Sequence, residues 1–354
     1  MPRYSSQTKQ KMEAEKTKLI SCLYDYLRYI LFVIFCLATV TSILWLTILP
    51  RGSKEIANTF LTLSVQLFYM LIFRRRQAIK RIIERLRKLL NTLMPRYNFS
   101  LKREKWICTF YFLFVQVLFV VWSIMFSSAV RLRSKDLQRS FERLEFSSHL
   151  SFVLSLVILI TELLFSFITK LIFSSFVIYY SLICRVIRLL FGHLLQILRR
   201  QMFIQEHKYL LENYEKIMKI MRKVDKEFSL LAFITIIMSM IGLFWGGYIL
   251  AFRKHLSSTY FISLVCSVSC YLTFQLLIMI SASMINEMEK KTRNSMKRLK
   301  CRVSRDLRET KFKEVCSKKS YLTLWKIYVL DRSLLITSFG TLLTYGILLG
   351  TLGE

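Results

Sequence analysis

Glycine, proline, histidine and acidic residues are all scarce in this chain. Nine glycines and three prolines in 354 residues exclude the loop-rich and low-complexity classes in which these residues accumulate. The four histidines are scattered, and there is no Walker loop, dinucleotide fingerprint, nucleophile elbow or His-Glu-x-x-His motif. The sequence therefore predicts no enzyme, no metal site and no cofactor.

Apolar side chains are abundant and make up 54% of the residues. They are gathered in seven runs, most of them long enough to cross a bilayer as helices. The runs are residues 29–49, 56–73, 107–130, 150–169, 230–252, 260–282 and 322–350. The second run is short. The fourth run continues to residue 184 without glycine or proline, so the fourth helix should project into the cytosol. We predict an all-α polytopic membrane protein with seven transmembrane helices.

The basic residues indicate the orientation of these helices. A net charge of +31 would suggest nucleic acid as a partner for a soluble protein, but in a membrane protein the distribution of the charge is more informative. Alternate segments between the spans hold 41 and 9 lysines and arginines. Because the richer segments stay in the cytosol, the N-terminus is predicted to lie inside and the C-terminus outside, with no nucleic-acid partner.

This topology divides the chain into four parts. Residues 1–28 form a cytosolic segment, and residues 29–282 contain helices 1 to 6 with their cytoplasmic extensions. Residues 283–320 are a basic cytosolic segment, and residues 321–354 form the seventh helix. We expect a helical cytoplasmic domain that extends from helices 4 to 7.

A heptad pattern precedes the fifth span. Apolar residues recur at spacings of 4, 3, 4, 3 and 4 in the order Leu210, Tyr214, Ile217, Met221, Val224 and Phe228. Such a seam favours packing between helices. Packing within the subunit and packing between subunits both agree with the pattern.

The last run carries a stripe of hydroxyl groups on one helical face. At about 100° per residue, its members fall within a sector of roughly 80°. They are Ser333, Thr337, Thr341, Thr344, Leu348 and Thr351. Such a stripe is typical of a helix contact or of the wall of a wet pathway. Gly346 and Gly350 on the opposite face already offer a packing surface, which favours the wet pathway.

Only a few residues are candidates for contact with a ligand. Glu162 is the one acidic residue well inside an apolar span, and intramembrane ionisable groups are often functional. It has the alternative role of a structural partner for Lys170 or for a hydroxyl group. Aromatic residues that would line a cavity, if they are not simply core or interfacial residues, include Trp122, Phe126, Tyr248 and Tyr271.

The end of the chain resembles a known family. Thr344 and Tyr345, followed by five residues to Gly350, are similar to the Thr-Tyr signature in the last helix of arthropod gustatory receptors. In that family a Gln follows, whereas this chain has Thr351. The resemblance extends upstream from residue 340 to residue 325 and to the heptad segment.

The resemblance implies a taste receptor of the plasma membrane, in contact with membrane lipid. It implies a ligand-gated, non-selective cation channel, assembled as a homo- or hetero-tetramer around its last helices. Permeant cations would then pass Thr337, Thr341 and Thr344, with Leu348 and Leu352 at a hydrophobic gate and Thr351 in place of the Gln. A small-molecule tastant would bind among the second to sixth spans.

Two other functions fit a similar number of helices. A non-conducting partner subunit of a heteromeric receptor would share the fold without conducting alone. A transporter would be expected to show internal repeats or helices broken at mid-membrane, and no convincing repeat is present. Gly242 and Gly246 have the spacing of a packing motif.

The topology makes a prediction about glycosylation. Asn98 begins the only acceptor sequon, Asn98-Phe99-Ser100, and it lies in a segment predicted to face the cytosol. No glycan should be attached there, because glycosylation acts on segments exposed outside the cytosol. Treatment of the expressed protein with a glycosidase should leave its electrophoretic mobility unchanged, and a shift would contradict the predicted orientation.

Overall fold

Long helices dominate the computed structural model of the chain. It describes residues 26, 29–30, 33–41, 43, 53–94, 109–110, 113–114, 117, 148–200, 207–252, 258–300 and 321–352. The predicted third span lies mostly outside these residues, and the predicted first span is described only in part. The count of seven transmembrane helices and the orientation of the termini therefore stay predictions.

Five long helices are complete in this part of the chain. They are α1 (Ser53–Leu93), α2 (Ser148–Arg200), α3 (His207–Phe252), α4 (Ser258–Lys300) and α5 (Arg332–Leu352). Because α2 has 53 residues, it is about 80 Å long at 1.5 Å per residue, against a bilayer core of about 30 Å. This agrees with the prediction that the fourth helix continues far beyond the membrane.

Three of the described helices are long and apolar enough to cross a membrane. They correspond to His149–Arg199, Tyr209–Phe252 and Tyr260–Arg298, and a shorter apolar helix spans Arg332–Leu348. Sequence patterning explains this, because none of these three apolar runs contains a proline, which would interrupt helical hydrogen bonding. The prediction of an all-α membrane protein is confirmed.

The heptad face of α3 is buried within the chain itself. Its six members, from Leu210 to Phe228, are each at most 2% exposed. The ring of Phe228 lies 6.2 Å from the rings of Phe176 and Tyr179 on α2. Of the two kinds of packing that the heptad pattern allowed, the structure therefore has packing within the subunit.

The seventh helix begins later than the sequence predicts. The predicted seventh helix starts at residue 321, but α5 begins at Arg332. A hairpin of two short strands precedes it, β1 (Thr323–Leu324) and β2 (Tyr328–Val329). Trp325 and Lys326 in its turn have positive φ angles of 47° and 61°, which a helix does not allow. β-Branched and aromatic residues such as Thr323, Tyr328 and Val329 favour strands.

The chain forms two compact units, and each is described here by itself. The first comprises residues 1–66 and 130–169, and the second residues 67–129 and 170–354. In the first unit the Gln66 side-chain amide donates to the carbonyl oxygen of Phe35 at 2.9 Å and also to the hydroxyl of Thr39. The ring of Phe35 meets that of Phe165 edge to face, with centroids 5.8 Å apart.

In the second unit α3 and α4 pack closely through glycine. A Cβ atom placed on Gly242 would lie 2.5 Å from the ring of Tyr271 on α4, and one on Gly246 would overlap Val268. A distance of 2.5 Å is far below van der Waals contact between carbon atoms. The packing role predicted for the Gly242–Gly246 pair is confirmed.

This contact predicts the effect of adding one methyl group. Gly242→Ala should destabilise the protein by about 1–3 kcal/mol, because the Tyr271 ring has to move to avoid overpacking. Gly247→Ala is the matched control, since among the described residues no neighbouring side chain lies within 4 Å of a Cβ atom placed there. Thermal unfolding in detergent should show a lower Tm for the first variant only, and equal Tm values would contradict the packing.

Candidate functional site

The hydroxyl stripe of α5 lies on a surface that the rest of the described subunit leaves uncovered. The side chains of Thr337, Thr341, Thr344 and Thr351 are exposed, and Leu348 among them is 49% exposed. Tyr345 of the Thr-Tyr signature is exposed as well. Leu352 is the last residue of α5, and its side chain lies outside the described part. The five described members of the predicted pore wall thus share one open face.

The stripe threonines are satisfied by their own helix. The Thr337 and Thr341 hydroxyls donate to the carbonyl oxygens of the residues four positions earlier, at 2.9 and 2.8 Å. Thr344 donates to the carbonyl oxygen of Gly340 at 2.9 Å, and Thr351 to that of Leu348 at 2.9 Å. Because each proton is used inside the helix, the stripe needs no partner helix to satisfy its donors.

A different face of α5 holds the helix to its own subunit. Ser338 is buried, and its hydroxyl accepts a hydrogen bond of 3.1 Å from the side-chain amide of Gln275 on α4. At about 100° per residue, Ser338 is about 100° from the centre of the stripe, although only about 60° from Thr341. No described residue comes within 4 Å of a Cβ atom placed on Gly346. The attachment of α5 thus leaves the stripe open.

One buried amide on α4 anchors the hairpin before α5. The side chain of Asn286 accepts a hydrogen bond from the backbone N–H of Leu322 at 2.8 Å. The same amide donates to the carbonyl oxygens of Leu322 at 3.1 Å and of Leu330 at 2.8 Å. The two ends of the hairpin, which also bond to each other through the Leu330 N–H and the Leu322 carbonyl oxygen at 3.1 Å, are therefore both held against α4 by this residue.

Helix α3 holds the hairpin from another direction. The Asp225 carboxylate accepts hydrogen bonds from the backbone N–H of Thr323 at 2.6 Å and from its hydroxyl at 2.9 Å. The backbone N–H of Trp325 donates to the carbonyl oxygen of Ser229 at 3.4 Å, and its ring lies 5.3 Å from that of Phe233. The hairpin is thus fixed to both α3 and α4.

The first turn of α5 is capped and tied to α4. The Asp331 carboxylate accepts hydrogen bonds of 2.9 Å from the backbone N–H of Leu334 and from the Ser333 hydroxyl, as an N-cap residue does. Arg332 forms an ion pair with Glu287 on α4 at 2.7 Å. This ion pair is exposed and adds little stability.

A buried charge pair follows these contacts along α4, toward its C-terminal end. Glu289 and Arg293 on α4 have side chains 0% and 6% exposed and lie 3.7 Å apart. The Tyr214 hydroxyl donates to Glu289 at 3.0 Å, and Arg293 donates to the Tyr321 hydroxyl at 3.1 Å. Buried charges need such partners, so this cluster joins the heptad face of α3 to the chain entering the hairpin.

The predicted ligand contacts fall in different parts of the structure, and the site that they would form stays a prediction. Trp122 and Phe126 lie outside them. Glu162 is partly buried and belongs to the first unit, whereas Tyr248 and Tyr271 belong to the second. The Tyr248 ring lies 5.3 Å from that of Phe252 on the same helix, and the Tyr271 ring packs on Gly242.

Sequence reasoning missed the residues that position α5. Gln275 lies within the predicted sixth span, and a polar amide in an apolar run is a recognisable signal. Asp331 three residues before Leu334 has the spacing of a helix cap. Asn286 and Asp225 carry no comparable signal, because their partners are backbone groups more than thirty positions away.

Comparison with known proteins identifies the class and then the family. Two structures of the insect olfactory receptor OR5 from Machilis hrabei are similar to this chain. One has 15% sequence identity and a TM-score of 0.59, covering 90% of this chain and 87% of the receptor. The other, in complex with eugenol, has 14% identity and a TM-score of 0.65, covering 90% and 88%. These likenesses show the helical receptor fold.

A family model gives the membership. The 7tm chemosensory receptor model matches residues 27–349, whereas no curated protein matches at a significant level. The chain therefore belongs to the 7tm chemosensory receptor family. This confirms the resemblance to the gustatory and odorant receptor superfamily, and membership of a receptor family agrees with the prediction that the chain is not an enzyme.

The hydrogen bonds between Asn286 and the hairpin predict that substitution of this residue lowers the stability of the protein. Asn286→Ala should lower the Tm of the purified protein, because each buried backbone group left without its partner costs roughly 1–3 kcal/mol. Asn294→Ala is the matched control, since Asn294 is exposed on the same helix. A melting temperature of Asn286→Ala as high as that of the control would contradict the anchoring role.

Proposed function

We propose that this protein is a taste receptor subunit that forms a ligand-gated, non-selective cation channel in the plasma membrane. Four copies, or copies together with a related subunit, surround a pore lined by α5. Family membership supports a chemosensory role. The tetramer, the tastant as ligand and the cation pathway follow from the resemblance to arthropod gustatory receptors.

The observation that carries the proposal is the open hydroxyl face of α5. The helix is attached to its own subunit through Ser338 and through the residues at its start. Its stripe of threonines is left uncovered by the described subunit. A water-filled pathway suits such a face, because each hydroxyl oxygen retains lone pairs that water or a cation can bind.

The gate is proposed to be formed by Leu348 together with Leu352, which lies four residues later at the end of α5. Leu348 is the large apolar side chain on the face formed by the threonines. A ring of such side chains closes a pore by excluding water, and rotation that replaces them with hydroxyls wets it again. Thr351 stands where the family has Gln, so a shorter group would contact the ions here.

The ligand is proposed to be a small organic molecule. The olfactory receptor to which this chain is similar was solved in complex with eugenol, which supports this chemical class. Glu162, Trp122, Phe126, Tyr248 and Tyr271 remain the proposed contacts. A ligand that reaches Tyr271 would act on α4, the helix that holds both Ser338 and the hairpin.

The gate is tested by removing its side chain. In cells that express this chain alone, Leu348→Ala should increase the cation leak without ligand, because a smaller apolar ring is easier to wet. Leu343→Ala is the matched control. Leu343 is also exposed on α5, but it lies about 140° away from Leu348 at about 100° per residue.

The recording needs two further conditions. Replacement of sodium by a large impermeant cation should abolish the extra current, and surface labelling should show equal expression of the variants. An equal leak from both variants would contradict the gate. No current from any variant at normal surface expression would contradict conduction by this chain alone and favour a non-conducting partner subunit or a transporter.

A further inference from the structure

A groove of about 620 Å³ lies between α1 and α3 in the second unit. Seven of its ten lining side chains are cationic. Arg85 and Lys88 come from α1, and α3 supplies Lys216, Lys219, Arg222, Lys223 and Lys226. All seven are exposed, so they form an open, positively charged rim, called here the basic groove.

Apolar residues form the floor of the basic groove. Leu89 on α1 and Ile220 on α3 line it, and each is 8% exposed. At one end, Arg75 on α1 donates hydrogen bonds to the carbonyl oxygens of Lys226 at 3.2 Å and Glu227 at 2.7 Å. The two helices are therefore joined beside the groove, and its cationic walls are held at a defined separation.

The rim charges are poorly neutralised by the protein. In the parts of the chain that the structure describes, only Lys219 has an ion pair with a carboxylate, at 2.9 Å from Glu215. At one end of the groove, the Glu227 carboxylate is paired with Arg75 at 3.9 Å. Like charges gathered in a cleft raise the local concentration of anions. The groove therefore suits a ligand with several negative charges.

The position of the groove along α3 indicates whether that ligand is a membrane lipid or a soluble molecule. The apolar run of α3 begins at Leu230, four residues after Lys226 and fourteen after Lys216. At 1.5 Å per residue, the rim extends from about 6 Å to about 21 Å beyond the apolar run. Lipid headgroups occupy the first several ångströms outside the hydrocarbon core. The groove thus starts at headgroup depth and continues further than a simple headgroup reaches.

We propose that the basic groove binds the polyphosphorylated headgroup of a phosphoinositide. Its phosphate groups would accept charge-assisted hydrogen bonds from the lysine and arginine side chains, while its acyl chains remain in the bilayer. Basic clusters next to a membrane helix on the cytosolic side are suited to such lipids, and the basic segments predict that this side is cytosolic. A free inositol polyphosphate has the same chemistry but needs no groove that begins at the membrane.

The test uses the full chain, purified in detergent, and a fluorescent short-chain phosphatidylinositol bisphosphate as the probe. Polarisation should show saturable binding that weakens with added salt, because salt screens exposed charges. The groove variant is Lys88→Gln with Lys223→Gln. The control variant is Lys80→Gln with Lys290→Gln, which removes the same charge from exposed positions outside the groove.

The groove variant should bind the probe about tenfold more weakly or worse, a loss of about 1.4 kcal/mol, and the control variant should bind as the wild type does. Equal weakening of both variants would overturn the proposal, because it would indicate diffuse surface charge. So would the absence of saturable binding to a wild-type protein that elutes as a single species.

Competition distinguishes the sources of the phosphate groups. Unlabelled phosphatidylinositol bisphosphate should displace the probe at lower concentration than soluble inositol trisphosphate does. Equal or better displacement by the trisphosphate would overturn the lipid assignment, and equal displacement by phosphatidylserine would overturn the need for several phosphates. None of these readouts depends on channel activity, so their outcome is separate from that of the proposed function.

Discussion

The buried side-chain amide of Asn286 binds both ends of the hairpin that leads into the last helix. An amide both donates and accepts, so this side chain can bind the N–H and C=O groups of one strand end and the C=O group of the other. The hairpin between them is closed as well by the hydrogen bond from the Leu330 N–H to the Leu322 carbonyl oxygen. Helix α5 consequently starts from a position set by α4, and Asp331 and Arg332 then fix its first turn.

Helix α4 contacts the last helix and its lead-in at successive levels. Gln275 reaches Ser338 within α5, Asn286 holds the hairpin, and Glu287 pairs with Arg332. Tyr271, one turn before Gln275, packs on α3. A displacement of α4 relative to α3 would therefore reach α5 through several short contacts at once. Coupling of this kind needs no long chain of intermediates, because Tyr271, which contacts α3, and Gln275, which contacts α5, lie one turn apart on the same helix.

The sequence predicts the helical membrane class well because apolar periodicity is a local property of the chain. The seam from Leu210 to Phe228 was visible as a pattern, but the surface it packs on was not, because a heptad seam looks the same whether its partner lies in the same subunit or another. The predicted start of the last helix was wrong. Mostly apolar residues from Leu322 to Leu330 continue the hydrophobic run, but the backbone at the two ends of this segment is hydrogen-bonded to Asn286. Contacts between distant positions leave no such periodic trace.

The back-bonded threonines of α5 have a consequence for the sign of the charge that this face attracts. Every stripe threonine gives its only proton to a carbonyl oxygen of its own helix, so the outward side of each hydroxyl is oxygen without hydrogen. Such a surface offers electron pairs to a positive ion and nothing that a chloride ion could accept as a hydrogen bond. Discrimination between cations and anions would then need no charged ring, because helix geometry alone orients the dipoles.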